Sequence, residues 1–352
     1  MGKPLTLLAL VLLTLPTAAA AAPWREEPAV AALFRDAGVE GTFVLLDEGS
    51  GELRGHNRSR AQQRVSPAST FKIPNTLIGL SLGAVGSVDE VIPYTGDANP
   101  FMREWLEPMG LRGAIRVSNV PLYQELARRI GLERMGEAVG QLRYGNAQIG
   151  DDVTTFWLRG PLAISAVEQT RFLSRLAHQS LPFPRNTQQQ VAEITEVDSG
   201  PGWSLHAKTG WQNAPGAGVG WWVGWVQRDA QITPFALNIA MAGAADAPKR
   251  EQLGRASLRV LGILPAVSAQ PAQPDQGTHH HEGNRQGSDA ADVPGQTTKA
   301  VVGEGGNQPQ AGMHSQGSGA GQQQQLDAHQ HPDRVGWAEQ PLKAGQIDPG
   351  HP

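Results

Sequence analysis

The run from Gly218 to Gln227 limits the possible folds more than any other stretch of the chain. Trp221, Val223 and Trp225 alternate in it with Trp222, Gly224 and Val226. At the period of two that a strand imposes, both faces are apolar, so the run predicts an interior strand whose tryptophans are core. Similar β-like runs flank it at Trp203–Lys208 and Thr233–Met241, separated by Gly, Pro, Asn and Asp. A second strand group lies near the start: Gly41–Asp47, a hairpin turn at Gly49-Ser50-Gly51, and a return over Glu52–Asn57. Pro28–Ala37 has the helical spacing Val30, Leu33, Phe34, Ala37. Lys249–Leu261 reads as a closing helix, with Leu253, Leu258 and Leu261 inward and Gly262 as C-cap.

Between the two strand groups the chain is helical in character. Val120–Gly131 places a proline in its first turn and stops at glycine. Ser165-Ala166-Val167-Glu168 is a capping box ahead of the amphipathic Phe172, Leu173 and Leu176, and Asn186 is expected to cap a further helix with Val191, Ile194 and Val197. The outline is α+β: one antiparallel sheet flanked by helices, plus an all-helical lobe over about 85–185.

The 352 residues carry a formal net charge of −4, and no basic run suggests nucleic acid as a partner. Lys3, the apolar Leu5–Leu15 and the small residues Thr17–Ala22 form an n-region, an h-region too short to span a bilayer, and a cleavage zone. Residues 1–22 are therefore expected to be a cleaved signal peptide, 23–265 the folded domain, and the mature protein soluble and without stable membrane association. With no cysteine, an exported chain must hold its core by packing alone. After Pro265 the composition turns to Gly, Gln, Pro, His, Ser and Asp, too little apolar material to offset ordering entropy, so 266–352 reads as a disordered low-complexity tail. Its His279-His280-His281 run has no structured ligand set around it, and no metal is expected.

Chemistry concentrates around Ser66–Asn75. Ser69 and Lys72, three apart, share one face of a helix, where a hydroxyl and an amine can share a proton. One S-x-x-K match is expected by chance in roughly every chain of this length, so the pair gains meaning from what accompanies it. Ser118-Asn119-Val120 stands before the Pro121 helix, where Ser118 could equally serve as a cap. Tyr144-Gly145-Asn146 sits in a loop, Trp157-Leu158-Arg159-Gly160 follows, and Lys208-Thr209-Gly210-Trp211 ends a strand. Lys-Thr-Gly alone has a chance count of roughly 0.1 here. A serine with a lysine, then a second serine, then Lys-Thr-Gly is the motif order of penicillin-recognising serine enzymes.

With these motifs, Leu181-Pro182-Phe183, Glu168-Gln169 and Gly220-Trp221-Trp222-Val223-Gly224-Trp225, the chain resembles the class D serine β-lactamases, the oxacillinases, from about Trp24 to Leu264. The resemblance implies the serine β-lactamase/penicillin-binding fold and a β-lactam hydrolase of the periplasm, with β-lactams as small-molecule partners. It implies that Ser69 attacks the β-lactam carbonyl, with the Ser69 and Trp211 N–H groups as oxyanion hole. Lys72, expected against the apolar Phe71, Val120, Trp157 and Leu158, would be carboxylated by CO2 and act as general base; no other cofactor is implied. Trp157 would hydrogen-bond that carbamate, Ser118 would relay a proton to the leaving nitrogen aided by Lys208, and Thr209 and Arg250 would meet the substrate carboxylate. Gly210, Trp105 and Leu158 would line the substrate site, and Tyr144 and Asn146 would support it. Ala207 stands where family members commonly have glycine, and its methyl is expected to crowd the substrate edge. A penicillin-binding peptidase and a non-hydrolysing β-lactam sensor share these motifs and stay open alternatives; monomer and homodimer are both compatible with the sequence.

Overall fold

A computed structural model describes residues 22–213 and 218–266. The leader up to residue 21, the interior of the Gln212–Gly218 loop and the tail beyond Ala266 lie outside the described residues. In chain order the elements are β1 (Trp24–Glu26), α1 (Pro28–Asp36), β2 (Gly41–Asp47), β3 (Glu52–His56), α2 (Arg58–Gln62), α3 (Lys72–Ser81), α4 (Leu111–Arg116) and α5 (Val120–Ile130). There follow α6 (Leu132–Leu142), α7 (Ala166–Ala177), α8 (Arg185–Ile194), β4 (Glu196–Gly200), β5 (Trp203–Gln212), β6 (Gly218–Arg228), β7 (Gln231–Met241) and α9 (Ala247–Val260).

The strands form one sheet in the order β1-β3-β2-β7-β6-β5-β4. Every pairing is antiparallel except that of the three-residue β1 with β3, which makes the sheet mixed at one edge. The double-faced apolar run is β6, paired on one side with β5 and on the other with β7. Its alternation divides between two cores: Trp221, Val223 and Trp225 join the cluster built on α3 and α5–α8, whereas Trp222 and Val226 join one with α1 and α9. A Cβ on Gly254 of α9 would stand 2.0 Å from the Trp222 ring, so a glycine is what lets the last helix reach the sheet.

The capping box forms as the sequence suggests: Ser165 Oγ accepts from the Glu168 N–H and the Glu168 carboxylate accepts from the Ser165 N–H. The α7 helix it opens packs on β2, β6 and β7, so this member of the 85–185 helical region covers a face of the sheet. Asn186 does not cap α8, and Val197, expected in the same helix, lies exposed beyond its end in β4. Pro184, at φ −54 and ψ 135, is the N-cap, and its carbonyl accepts from Thr187 and Gln188; Asn186 lies inside the first turn, where it cannot cap.

Candidate active site

Ser69 sits in a single 3₁₀ turn, Ala68–Phe71, that runs directly into α3. The turn is entered through Ala68 at φ 47, a left-handed conformation that costs a residue with a Cβ and persists only when its surroundings hold it. The Ala68 N–H donates to Trp157 O at 2.9 Å, Ser66 Oγ donates to the same carbonyl at 2.8 Å, and Trp221 Nε1 donates to Ser66 O at 2.9 Å. Phe71 stacks on Trp157 at 5.6 Å and meets Phe156 and Tyr144 edge-on. An aromatic cluster thus clamps the strained turn.

Lys72 opens α3 one turn after Ser69, and its Nζ lies 2.5 Å from Ser69 Oγ. Both side chains are only 1 % exposed. The Lys72 amine also lies over the Tyr123 ring, 5.5 Å from its centre, and Tyr123 is fully buried, which raises its phenol pKa above the ordinary value of 10.0. Val120 and Leu158, expected beside Lys72, pack on or within the same apolar cluster as Phe71 and Trp157. Trp157 Nε1 is buried with no hydrogen-bond partner among the described residues. Buried donors are seldom left so, and this one borders the turn that carries Ser69.

Ser118 precedes α5 at φ 50, a second left-handed non-glycine position. It is not the helix cap. Asn119 is, its Oδ1 accepting from the Leu122 N–H at 3.0 Å, while its amide donates to Trp105 O. The Ser118 hydroxyl is therefore left to accept from Lys208 Nζ at 3.1 Å, and Lys208 also donates to Thr209 O at 2.9 Å. Trp105, 2 % exposed, donates its indole N–H to Val117 O, so it backs the Ser118 turn from behind.

Strand β5 brings these parts together. The Ala207 N–H donates to Thr195 O, on the β4 side. Strand amides alternate in direction, so the Thr209 and Trp211 N–H groups point to that same edge, beyond the reach of the β4 pairing. On the face toward the Ser69 turn, a Cβ at Gly210 would lie 3.1 Å from Pro67 O and 3.2 Å from Thr70 N; glycine permits the strand to close on the turn. The Gly210 carbonyl accepts from Arg250 Nη1 at 2.7 Å. Arg250 is 1 % exposed, although at the entrance of α9 a solvated charge would be the ordinary outcome. Ala207 packs with Leu205, Trp211 and Trp222 in the α1/α9 cluster, on the opposite face from Lys208. Its methyl thus lies on the face turned from Lys208. A cavity of about 480 Å³ adjoins Lys208 and Thr209, walled by Arg112, Arg116, Glu193 and Ala207 among others.

Two residues of the loop motif divide. Tyr144 is fully buried and donates to Gln169 Oε1 at 3.2 Å, whereas Asn146 pins the 161–163 segment, accepting from the Ala163 N–H and donating to Pro161 O. Thr70, Asn119 and Tyr123 take part in the site without having been singled out by sequence reasoning; for Asn119 the signal existed, since asparagine two residues before Pro121 is a strong cap. Among the described residues no cluster of His, Asp and Glu could hold a metal ion, and no helix is long and apolar enough to cross a membrane.

A serine on a strained turn, an amine on the next helical turn and a Lys-Thr-Gly strand closing over them come together on a fold of the penicillin-binding kind, and residues 41–259 match the family model described as penicillin binding protein transpeptidase domain. Among relatives, the chain is 37 % identical over 234 residues to beta-lactamase OXA-5 of Pseudomonas aeruginosa, covering 66 % of this chain and 87 % of that one. It is 35 % identical over 247 residues to beta-lactamase OXA-48 of Klebsiella pneumoniae, covering 70 % and 93 %. Among solved structures, FUS-1 (OXA-85), a class D β-lactamase from Fusobacterium nucleatum subsp. polymorphum, aligns with a TM-score of 0.66 at 40 % identity, over 68 % of this chain and 100 % of its own. The class D β-lactamase YbXI from Nostoc aligns with a TM-score of 0.65 at 36 % identity, over 67 % and 99 %. The chain belongs to the class D β-lactamases.

Proposed function

We propose that this protein hydrolyses β-lactams through an acyl-enzyme on Ser69, in two steps served by two lysine–serine pairs. The observation that carries the reading is that Lys72 lies 2.5 Å from Ser69 and Lys208 3.1 Å from Ser118, with the turn bearing the first pair packed on the strand bearing Lys208. Ser69 Oγ adds to the lactam carbonyl as its proton passes to the Lys72 side. The Ser69 and Trp211 N–H groups receive the developing oxyanion, where fixed donors outperform mobile water. Ser118 gives its proton to the leaving nitrogen, and the Lys208 ammonium favours the resulting charge. Thr209 and the Arg250 guanidinium take the substrate carboxylate; an arginine fork suits that anion better than a lysine.

Carboxylation of Lys72 fits the residues present. It requires a neutral amine, which a buried apolar site favours over an ammonium. The buried indole N–H of Trp157, unsatisfied among the described residues, is the donor that a carbamate oxygen would need. When present, a carbamate would supply a general base that stays unprotonated near neutral pH for both steps, with CO2 or bicarbonate as its source. Export to the periplasm through the leader at residues 1–22 agrees with this role. The test is mass spectrometry of the protein quenched during turnover of a penicillin. One adduct per chain on the Ser69 peptide, absent in Ser69→Ala, is expected; an adduct elsewhere, or none in a protein that hydrolyses the drug, overturns the assignment.

A further inference from the structure

We infer that Gln169 on α7 is a positioning residue for the nucleophile, acting through a directed hydrogen-bond chain that ends on the backbone next to Ser69. The inference rests on Ser69 being the acylated residue. The chain has three links. Tyr144 OH donates to Gln169 Oε1 at 3.2 Å, Gln169 Nε2 donates to Thr70 Oγ1 at 2.9 Å, and Thr70 Oγ1 donates to Pro67 O at 2.7 Å. The direction is forced from the far end. The Pro67 carbonyl can only accept, so the Thr70 hydroxyl spends its one proton there and must accept from Gln169. That fixes the amide with its NH2 toward Thr70 and its oxygen toward Tyr144, whose hydroxyl faces both the Thr70 hydroxyl and the Gln169 oxygen and must donate. Burial raises the Tyr144 phenol above its ordinary value of 10.0, so the proton needed for the first link stays in place.

The chain meets the backbone where strain is held. Pro67 and Thr70 bracket Ala68 and Ser69, the Thr70 N–H also donates to Pro67 O at 3.1 Å, and Ala68 carries the left-handed φ of 47. Gln169 itself is 1 % exposed, in the first turn of the helix fixed by the Ser165–Glu168 capping box and by the Arg64–Glu168 ion pair. A helix seated on the sheet thus reaches across to the Ser69 turn through side chains that are all fully buried. Buried links of this kind strengthen one another in a low-dielectric interior, and losing one leaves partners unsatisfied.

The experiment is single-turnover acylation by a chromogenic β-lactam, in the full-length protein supplied with bicarbonate, after the adduct has been assigned to Ser69 in the unmodified chain. Gln169→Leu and Thr70→Val are expected to slow acylation by about 10–100-fold, the cost of a small misplacement of a reacting atom. Substrate affinity and the final adduct stoichiometry should be unchanged, and Thr70→Ser, which keeps the hydroxyl, should stay within about threefold of the parent. The double variant should be no slower than the slower single, because both cut one chain. Wild-type acylation rates in folded Thr70→Val or Gln169→Leu, or equal slowing in Thr70→Ser and Thr70→Val, would overturn the inference. Should Gln169→Leu fail to fold, the Thr70→Ser and Thr70→Val pair decides alone. A parent adduct outside Ser69 would instead overturn the nucleophile assignment, a distinct result.

Discussion

The Lys208 ammonium donates to the Ser118 hydroxyl over 3.1 Å, joining residues 90 positions apart in the sequence. The bond ties the middle of β5 to the left-handed turn ahead of α5, and both groups are buried. In the proposed reaction it orients the hydroxyl for proton transfer and holds positive charge beside it. Ser118→Ala and Lys208→Ala are each expected to lower kcat/KM for a penicillin by about 10²–10⁴-fold. The double variant should fall little further, as for groups that act as a unit. Additive losses in steady-state kinetics would mean that the two side chains act separately.

The division of labour between Ser118 and Asn119 can be read in stability. Asn119 caps α5, so Asn119→Ala is expected to cost about 1 kcal/mol in chemical denaturation. Ser118→Ala removes no cap and should leave the unfolding midpoint close to the parent while abolishing most activity. The opposite ranking of the two midpoints would return the cap to Ser118.

Much of this architecture was legible in the residue pattern. The double-faced alternation of β6, the hairpin of β2 and β3, the Ser165 capping box and the proline-to-glycine limits of α5 are local signals, and all appear where the pattern places them. The three-residue β1 and the largely exposed β4 carry little hydrophobic periodicity, because an edge strand owes its place to pairing and not to burial. Motif order points to Ser69, Lys72, Ser118 and Lys208, but their juxtaposition depends on long-range packing. The left-handed Ala68 and Ser118, the role of Thr70, and the side to which Ala207 turns are tertiary facts that no local pattern states.

His206 gives a pH signature of folding. It lies two residues before Lys208 on β5, stacks on Trp225 at 4.4 Å, and bonds to Ala192 O and Ser204 Oγ. Burial holds its pKa below the ordinary 6.5, only partly offset by the Ala192 carbonyl and the Glu196 charge. The folded state therefore binds its proton less readily than the unfolded chain. Stability from this group is full above 6.5 and erodes as pH falls from there toward the lowered folded value. Urea midpoints measured from pH 8 to 5 should drop on the acid side, and less so in His206→Gln. Equal slopes in the two proteins would contradict the assignment.

The Trp157 indole beside the Ser69 turn, unsatisfied among the described residues, motivates a bicarbonate test. Stripping CO2 or lowering pH is expected to reduce turnover, with recovery on adding bicarbonate, and ¹³C-bicarbonate should give a carbamate signal lost in Lys72→Ala. Trp157→Phe, lacking the donor, should require more bicarbonate for half-recovery. Full activity in CO2-free buffer would leave Lys72 acting as a plain amine.

The central claim, that Ser69 both forms and releases an acyl-enzyme, is tested most directly by following hydrolysis of a chromogenic cephalosporin by the purified protein in bicarbonate buffer. Sustained turnover, many equivalents of product per chain and none with Ser69→Ala, is the expected result. A single burst of one equivalent, followed by a stable adduct and no further product, would contradict it and describe a protein that is acylated but does not hydrolyse.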